Sequence, residues 1–145
     1  MDPHSEGYQS PLSWRYGSAE MRSLWSERQK RIHWRKVWAA LADVSAEFTL
    51  LTSAQAEDIR SHVNDIDLEA AAIVEEKLRH VLMAELVVFS RQCEIGGGAI
   101  HLGATSMDIE DNAEVLRQQA ALDCVITRLS ALLRVFADQV RRYAA

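Results

Sequence analysis

Val115, Leu122, Ile126, Leu129, Leu133, Phe136 and Val140 recur at the three-four spacing that puts every member on one side of a helix. This rhythm is that of bundle packing, and it predicts one long helix starting near Ser106 or Met107 and running to the end. No glycine, proline or asparagine cap closes that helix before Ala145, so the chain is expected to stop inside or just after a bundle helix.

The rest of the chain fits an all-α fold. Six Gly and two Pro leave few of the turn residues that many strands would need, and a 48% hydrophobic content is enough for a core. Residues 1–17 read as extended. Ser18 offers an N-cap to a helix from about Ala19 to about Thr49, with a possible break in the polar stretch Ser26 to Arg31. Its second half carries Val37, Leu41, Val44 and Phe48 as a stripe in need of a partner. Thr52 and Gln55 match a capping box opening a short helix, and Asp67 caps the next. That one is expected to run unbroken through Ala71, Val74, Leu78, Leu82 and Phe89, apolar nearly all round in its second half. Such a helix must be buried on every face, which implies missing chain, a partner subunit or both. Gly96, Gly97 and Gly98 end it in a flexible loop. The expected organisation is an extended segment 1–17, a helical N-terminal domain 18–104, and the start of a central helical bundle at 105–145.

The net charge is −5, but residues 1–36 hold seven Lys and Arg against four Asp and Glu. Arg22, Arg28, Lys30, Arg31, Arg35 and Lys36 interleave with Trp25, Trp34 and Trp38, which invites a nucleic-acid reading. Trp34 and Trp38, four apart, instead predict aromatics in a core with the bases turned to water, so no nucleic-acid partner is expected. Cys93 and Cys124 match no metal-ligand spacing and read as reduced, buried, cytoplasmic thiols. The polar N-terminus is no signal peptide. The most apolar run, Val81 to Phe89, is too short to span a bilayer and contains Glu85, so no membrane association is expected.

Chemistry concentrates between Gly96 and Asn112. Thr105 and Ser106 stand where a helix begins, and amides at a helix start lack internal partners, so a carboxylate or phosphate could be held there. On physical grounds alone, ordinary capping ahead of Asp108 and Glu110 accounts for the pattern better. Arg79 and His80 fall off the Leu78, Leu82, Phe89 stripe and could face a cleft, although Glu76 could equally pair with His80 on the surface. Arg15 and Tyr16 could reach a phosphate. His101 reads as a loop or packing histidine; no metal and no cofactor is expected.

In order and spacing, four blocks resemble the N-terminal part of the adenylosuccinate lyase family, within the fumarase/aspartase superfamily. They are Tyr8-Gln9-Ser10-Pro11-Leu12; Arg15-Tyr16 with Ser18, Glu20 and Met21; Leu78-Arg79-His80 with Met83-Ala84; and His101-Leu102-Gly103-Ala104-Thr105-Ser106 with Asp111-Asn112. The last block is the most specific. The resemblance implies a homotetramer with a shared central bundle, releasing fumarate from adenylosuccinate and from the succinylated aminoimidazole carboxamide ribotide of purine biosynthesis. It further implies that Arg15 and Tyr16 bind the nucleotide phosphate, that Arg79 and His80 contact substrate, and that Thr105 and Ser106 hold the succinyl carboxylates. The family's acid histidine and serine-bearing mobile loop match segments beyond Ala145. No catalytic residue is therefore expected within these residues, and the chain alone is expected to be inactive. Val81 stands where the family usually has an acidic residue, which leaves room for another superfamily lyase or cycloisomerase. A non-catalytic helical assembly module is the third reading.

Overall fold

A computed structural model describes residues 10–144. Among them there is no strand, and the chain is all-α. The helices are α1 (Ala19–Leu24), α2 (Glu27–Glu47), α3 (Ser53–Ser61), α4 (Leu68–Leu78), α5 (Val81–Gln92) and α6 (Ser106–Tyr143), with a 3₁₀ turn at Gly97–Ala99. Residues 12–16, expected extended, form a π-helical stretch, Leu12–Tyr16, closed by the Gly17 amide donating to the Leu12 carbonyl. The extended reading of residues 1–9, with Tyr8 and Gln9 of the first landmark, lies outside the described residues.

Local chemistry sets most boundaries. Ser18, Ser26, Thr52 and Asp67 each accept a backbone amide at a helix start, and Thr52 with Gln55 completes the capping box. Ser26 also explains why the first helical stretch breaks just after Trp25: a residue in extended conformation restarts the helix. The helix expected to run through residue 89 is in fact two. Arg79 adopts the left-handed conformation (φ 54°) and His80 is extended (φ −147°), so α4 ends and α5 begins across that pair. Apolar spacing persists across the break, which is why periodicity alone hid it.

The chain divides into two compact units, residues Ser26–Leu116 and a second made from the N-terminal stretch through Trp25 with the stretch from Arg117 onward. In the first, Trp34, Trp38, Ala42, Ile59, Leu82, Phe89, Ile109 and Ala113 belong to one buried cluster. Trp38 and Phe89 pack with ring centroids 6.0 Å apart. The face of α2 that packs differs from the expected stripe: Val44 and Phe48 are exposed, whereas Trp34, Trp38, Ala42 and Ser45 are buried. In the second unit, Arg117 donates to the Leu24 carbonyl (3.4 Å) and lies over the Trp25 ring at 4.7 Å. Beyond Ala121, the apolar residues of α6 are exposed, from Leu122 (60%) to Val140 (65%). No helix of the described residues is long and apolar enough to cross a membrane.

Candidate functional site

The Thr105–Ser106 pair stands at the mouth of α6, whose first residue is Ser106. The Thr105 amide donates to Asp108 Oδ2 (2.8 Å), so the carboxylate three residues on satisfies the amide just outside the helix. Capping, the plainer reading of this sequence, is therefore present. It uses neither hydroxyl: no described protein group bonds the Thr105 or Ser106 side chain, and Thr105 is exposed with Ser106 half-buried. The first-turn amides of Ser106 and Met107 have no acceptor within the helix by position, so two hydroxyls and two amides remain as donors at the positive helix end.

The loop leading there is held firmly. Asp58 Oδ2 accepts the amides of Ile95 and Gly96, each at 2.8 Å. A Cβ on Gly97 would lie 2.2 Å from the Ser90 carbonyl oxygen, so glycine is required for the close approach of loop and α5. Partial burial raises the Asp58 carboxyl, but the amides of Gly96, Ile95 and Glu94, with His62, outweigh it and hold its pKa below the ordinary value. His101, in left-handed conformation (φ 73°), has Nδ1 3.0 Å from the Trp38 indole Nε1. An indole N–H can only donate, so Nδ1 accepts and the histidine proton sits on Nε2. His101 is thus a packing histidine, edge-on to the buried Trp38 at 5.9 Å.

Arg79 and His80 form the corner between α4 and α5, and both are exposed. A left-handed arginine costs about 1–2 kcal/mol relative to the right-handed helix, so the surrounding packing must hold it there. His80 caps α5, its Nδ1 accepting from the Met83 amide at 3.4 Å, in place of the surface pairing with Glu76 that spacing allowed. The Arg79 side chain makes no hydrogen bond or ion pair with a described residue.

Behind this corner lies a group that sequence reading misplaced. Arg31 and Arg35, assigned to a solvated basic face, are buried, and both bond Glu85 of α5, itself 0% exposed. Arg31 Nη1 is 2.9 Å from Glu85 Oε2, and Arg35 Nε is 2.6 Å from Glu85 Oε1. Arg35 also donates to the His62 carbonyl (2.8 Å) and to Gln92 Oε1 (2.7 Å). Desolvation lowers the Arg35 pKa, with Glu85 opposing it. One signal was available: a lone glutamate inside the apolar run Val81 to Phe89 cannot be buried without cationic partners.

Arg15 and Tyr16 lie in the other unit, in the π-helical stretch, and both are exposed. Arg15 lies over the Trp14 ring at 4.6 Å, and Arg22 Nη1 fixes the stretch by donating to the Gly17 carbonyl (2.7 Å). Within Ser26–Leu116, the chain neighbours Arg79 and His80 stand at the corner between α4 and α5, and the chain neighbours Thr105 and Ser106 at the mouth of α6. Among the described residues no bond links the two pairs. Of the two cysteines expected buried, Cys93 is, with its thiol pushed up to about 11 by burial and the nearby Asp58; Cys124 is only half-buried.

No family model matches the sequence. Individual proteins do. The adenylosuccinate lyase of Saccharomyces cerevisiae is 35% identical over 145 residues, which cover 97% of this chain and 30% of that protein. The adenylosuccinate lyase of Methanocaldococcus jannaschii is 32% identical over 136 residues, 92% of this chain and 29% of that protein. The N-acetyl-S-(2-succino)cysteine lyase of Dickeya dadantii is 34% identical over 121 residues, covering 81% and 27% respectively. By sequence the chain is a relative of the adenylosuccinate lyases, spanning about 30% of the length of the proteins it matches.

Proposed function

We propose that these residues are the N-terminal, substrate-binding part of a lyase that eliminates fumarate from adenylosuccinate and from the succinylated aminoimidazole carboxamide ribotide of purine biosynthesis. Identity to adenylosuccinate lyases over nearly the whole chain carries this reading. The α6 mouth supports it chemically. β-Elimination builds negative charge on the carboxylate next to the abstracted proton, and fixed amide and hydroxyl donors stabilise charge at that point. In this scheme Thr105 and Ser106 hold the succinyl carboxylates, Arg79 and His80 contact the substrate, and Arg15 and Tyr16 take the nucleotide phosphate. Asp108 places a negative charge at the same mouth, so the dianion also needs a cation, the role given to Arg79.

Acid and base come from outside these 145 residues, and the fragment alone does not turn over. The bare apolar side of α6 supports a homotetramer in which copies of this helix and further chain complete a bundle. We assign the protein to the cytoplasm, with neither cofactor nor metal, and residues 105–145 to the opening of that bundle.

A second reading has its own support. The Dickeya relative is named for a succinylated cysteine substrate, and Val81 replaces the acidic residue usual in the family at a substrate contact. Both substrates carry a succinyl group, which is the part the α6 mouth would grip. The test is to express the whole coding sequence around these codons and measure fumarate release from adenylosuccinate and from N-acetyl-S-(2-succino)cysteine in parallel. Turnover of the nucleotide supports the first reading. Turnover of the thioether alone moves the assignment to the second, and release from neither sinks both.

A further inference from the structure

Arg31 reaches two carboxylates on two different helices. Its Nη1 is 2.9 Å from Glu85 Oε2 on α5, and its Nη2 is 3.9 Å from Glu75 Oε2 on α4. Glu75 precedes the Arg79–His80 corner in sequence and Glu85 follows it, so one guanidinium from α2 spans the corner. The other Glu85 oxygen takes Arg35, which is anchored in turn on the His62 and Asp65 carbonyls and on Gln92.

Stability alone is a poor account of this group. A buried ion cluster is commonly no better than apolar packing of the same volume, and this one leaves Arg31 Nε and Arg35 Nη2 buried without acceptors. What a rigid guanidinium fork supplies is geometry, because two carboxylates on separate helices can meet it at only a narrow range of helix directions. The corner needs such a restraint: Arg79 is left-handed without being glycine, and α4 and α5 are in direct contact on either side of it.

We propose that Arg31 and Glu85 are positioning residues for Arg79 and His80, fixing the angle between α4 and α5 so that the two side chains are presented together. The proposal rests on the reading that this pair contacts substrate.

Backbone amide exchange on this chain tests it. Arg31→Lys keeps a charge for Glu85 but loses the fork. It is expected to speed exchange at Arg79, Met83 and Ala84 about tenfold, while amides in the core of α2 and α3 stay within about twofold. Glu75→Gln, on the exposed side of the network, cannot unfold the core and is expected to give about threefold at the same amides. If Arg31→Lys unfolds the chain, Glu75→Gln alone decides. Unchanged corner exchange, or a rise spread evenly over α2, α3 and α5, overturns the proposal. Arg79→Ala separates the two claims: in the whole protein, unchanged adenylosuccinate KM refutes the substrate contact, whatever the corner exchange shows.

Discussion

The unit Ser26–Leu116 and the far half of α6 are written in the same apolar rhythm and meet opposite fates. In the first, Leu82 and Phe89 are 0% exposed; in the second, Leu129 and Phe136 are more than half exposed. Periodicity states which side of a helix requires cover, and only the contacts state whether this chain provides it. The first unit also buries what composition would leave outside, since Arg31 and Arg35 each bond one oxygen of the buried Glu85 carboxylate. The second exposes what composition would hide.

Six substitutions sharpen the contrast. The largest effect is expected from Glu85→Ala, which strands two buried guanidinium groups and should cost about 3–5 kcal/mol, much of a domain's usual ~5–15 kcal/mol. Urea unfolding measures it, and a loss near zero would mean that the cluster is not buried as described. Next comes a matched pair on the two apolar stripes. Leu82→Ala should cost about 2–5 kcal/mol, whereas Leu129→Ala in the isolated chain should change stability by less than about 0.5 kcal/mol. Equal costs would show that the α6 stripe is packed after all.

Glycine substitutions in the loop follow. Gly97→Ala meets the Ser90 carbonyl and should cost about 1–3 kcal/mol, whereas Gly98→Ala meets no atom within 4 Å and should be neutral or gain under about 1 kcal/mol. The smallest effect concerns acid. Asp58 has a folded pKa below its ordinary 3.8, so its contribution is present above that value and lost as pH falls through the folded one. The Tm gap between the wild-type chain and Asp58→Asn should therefore be widest near neutrality and close in strong acid. A gap that grows on acidification contradicts the clamp.

Helix starts were legible because their signals are local. Ser18, Thr52 and Asp67 accept amides within a turn of themselves, so the sequence carries both partners. The break at Arg79 was not legible, since no local signal marks it: apolar spacing continues across it and left-handed arginine has no sequence signature. The burial of Arg31 and Arg35 was missed because their partner Glu85 is about fifty positions off, and a basic run looks like surface until that partner is found. At the candidate site, block order pointed to Thr105 and Ser106, but not to the use of Asp108 as the cap that leaves their hydroxyls unbonded.

The claim on which the functional account turns is that the α6 mouth holds a succinyl carboxylate through Thr105 and Ser106. Steady-state fumarate release by the whole protein carrying Thr105→Ala and Ser106→Ala together tests it most directly. The account expects kcat/KM to fall by about 100-fold or more with Tm nearly unchanged, because two donors at a point of developing charge are lost and no core contact is. Full turnover in that double variant would contradict it.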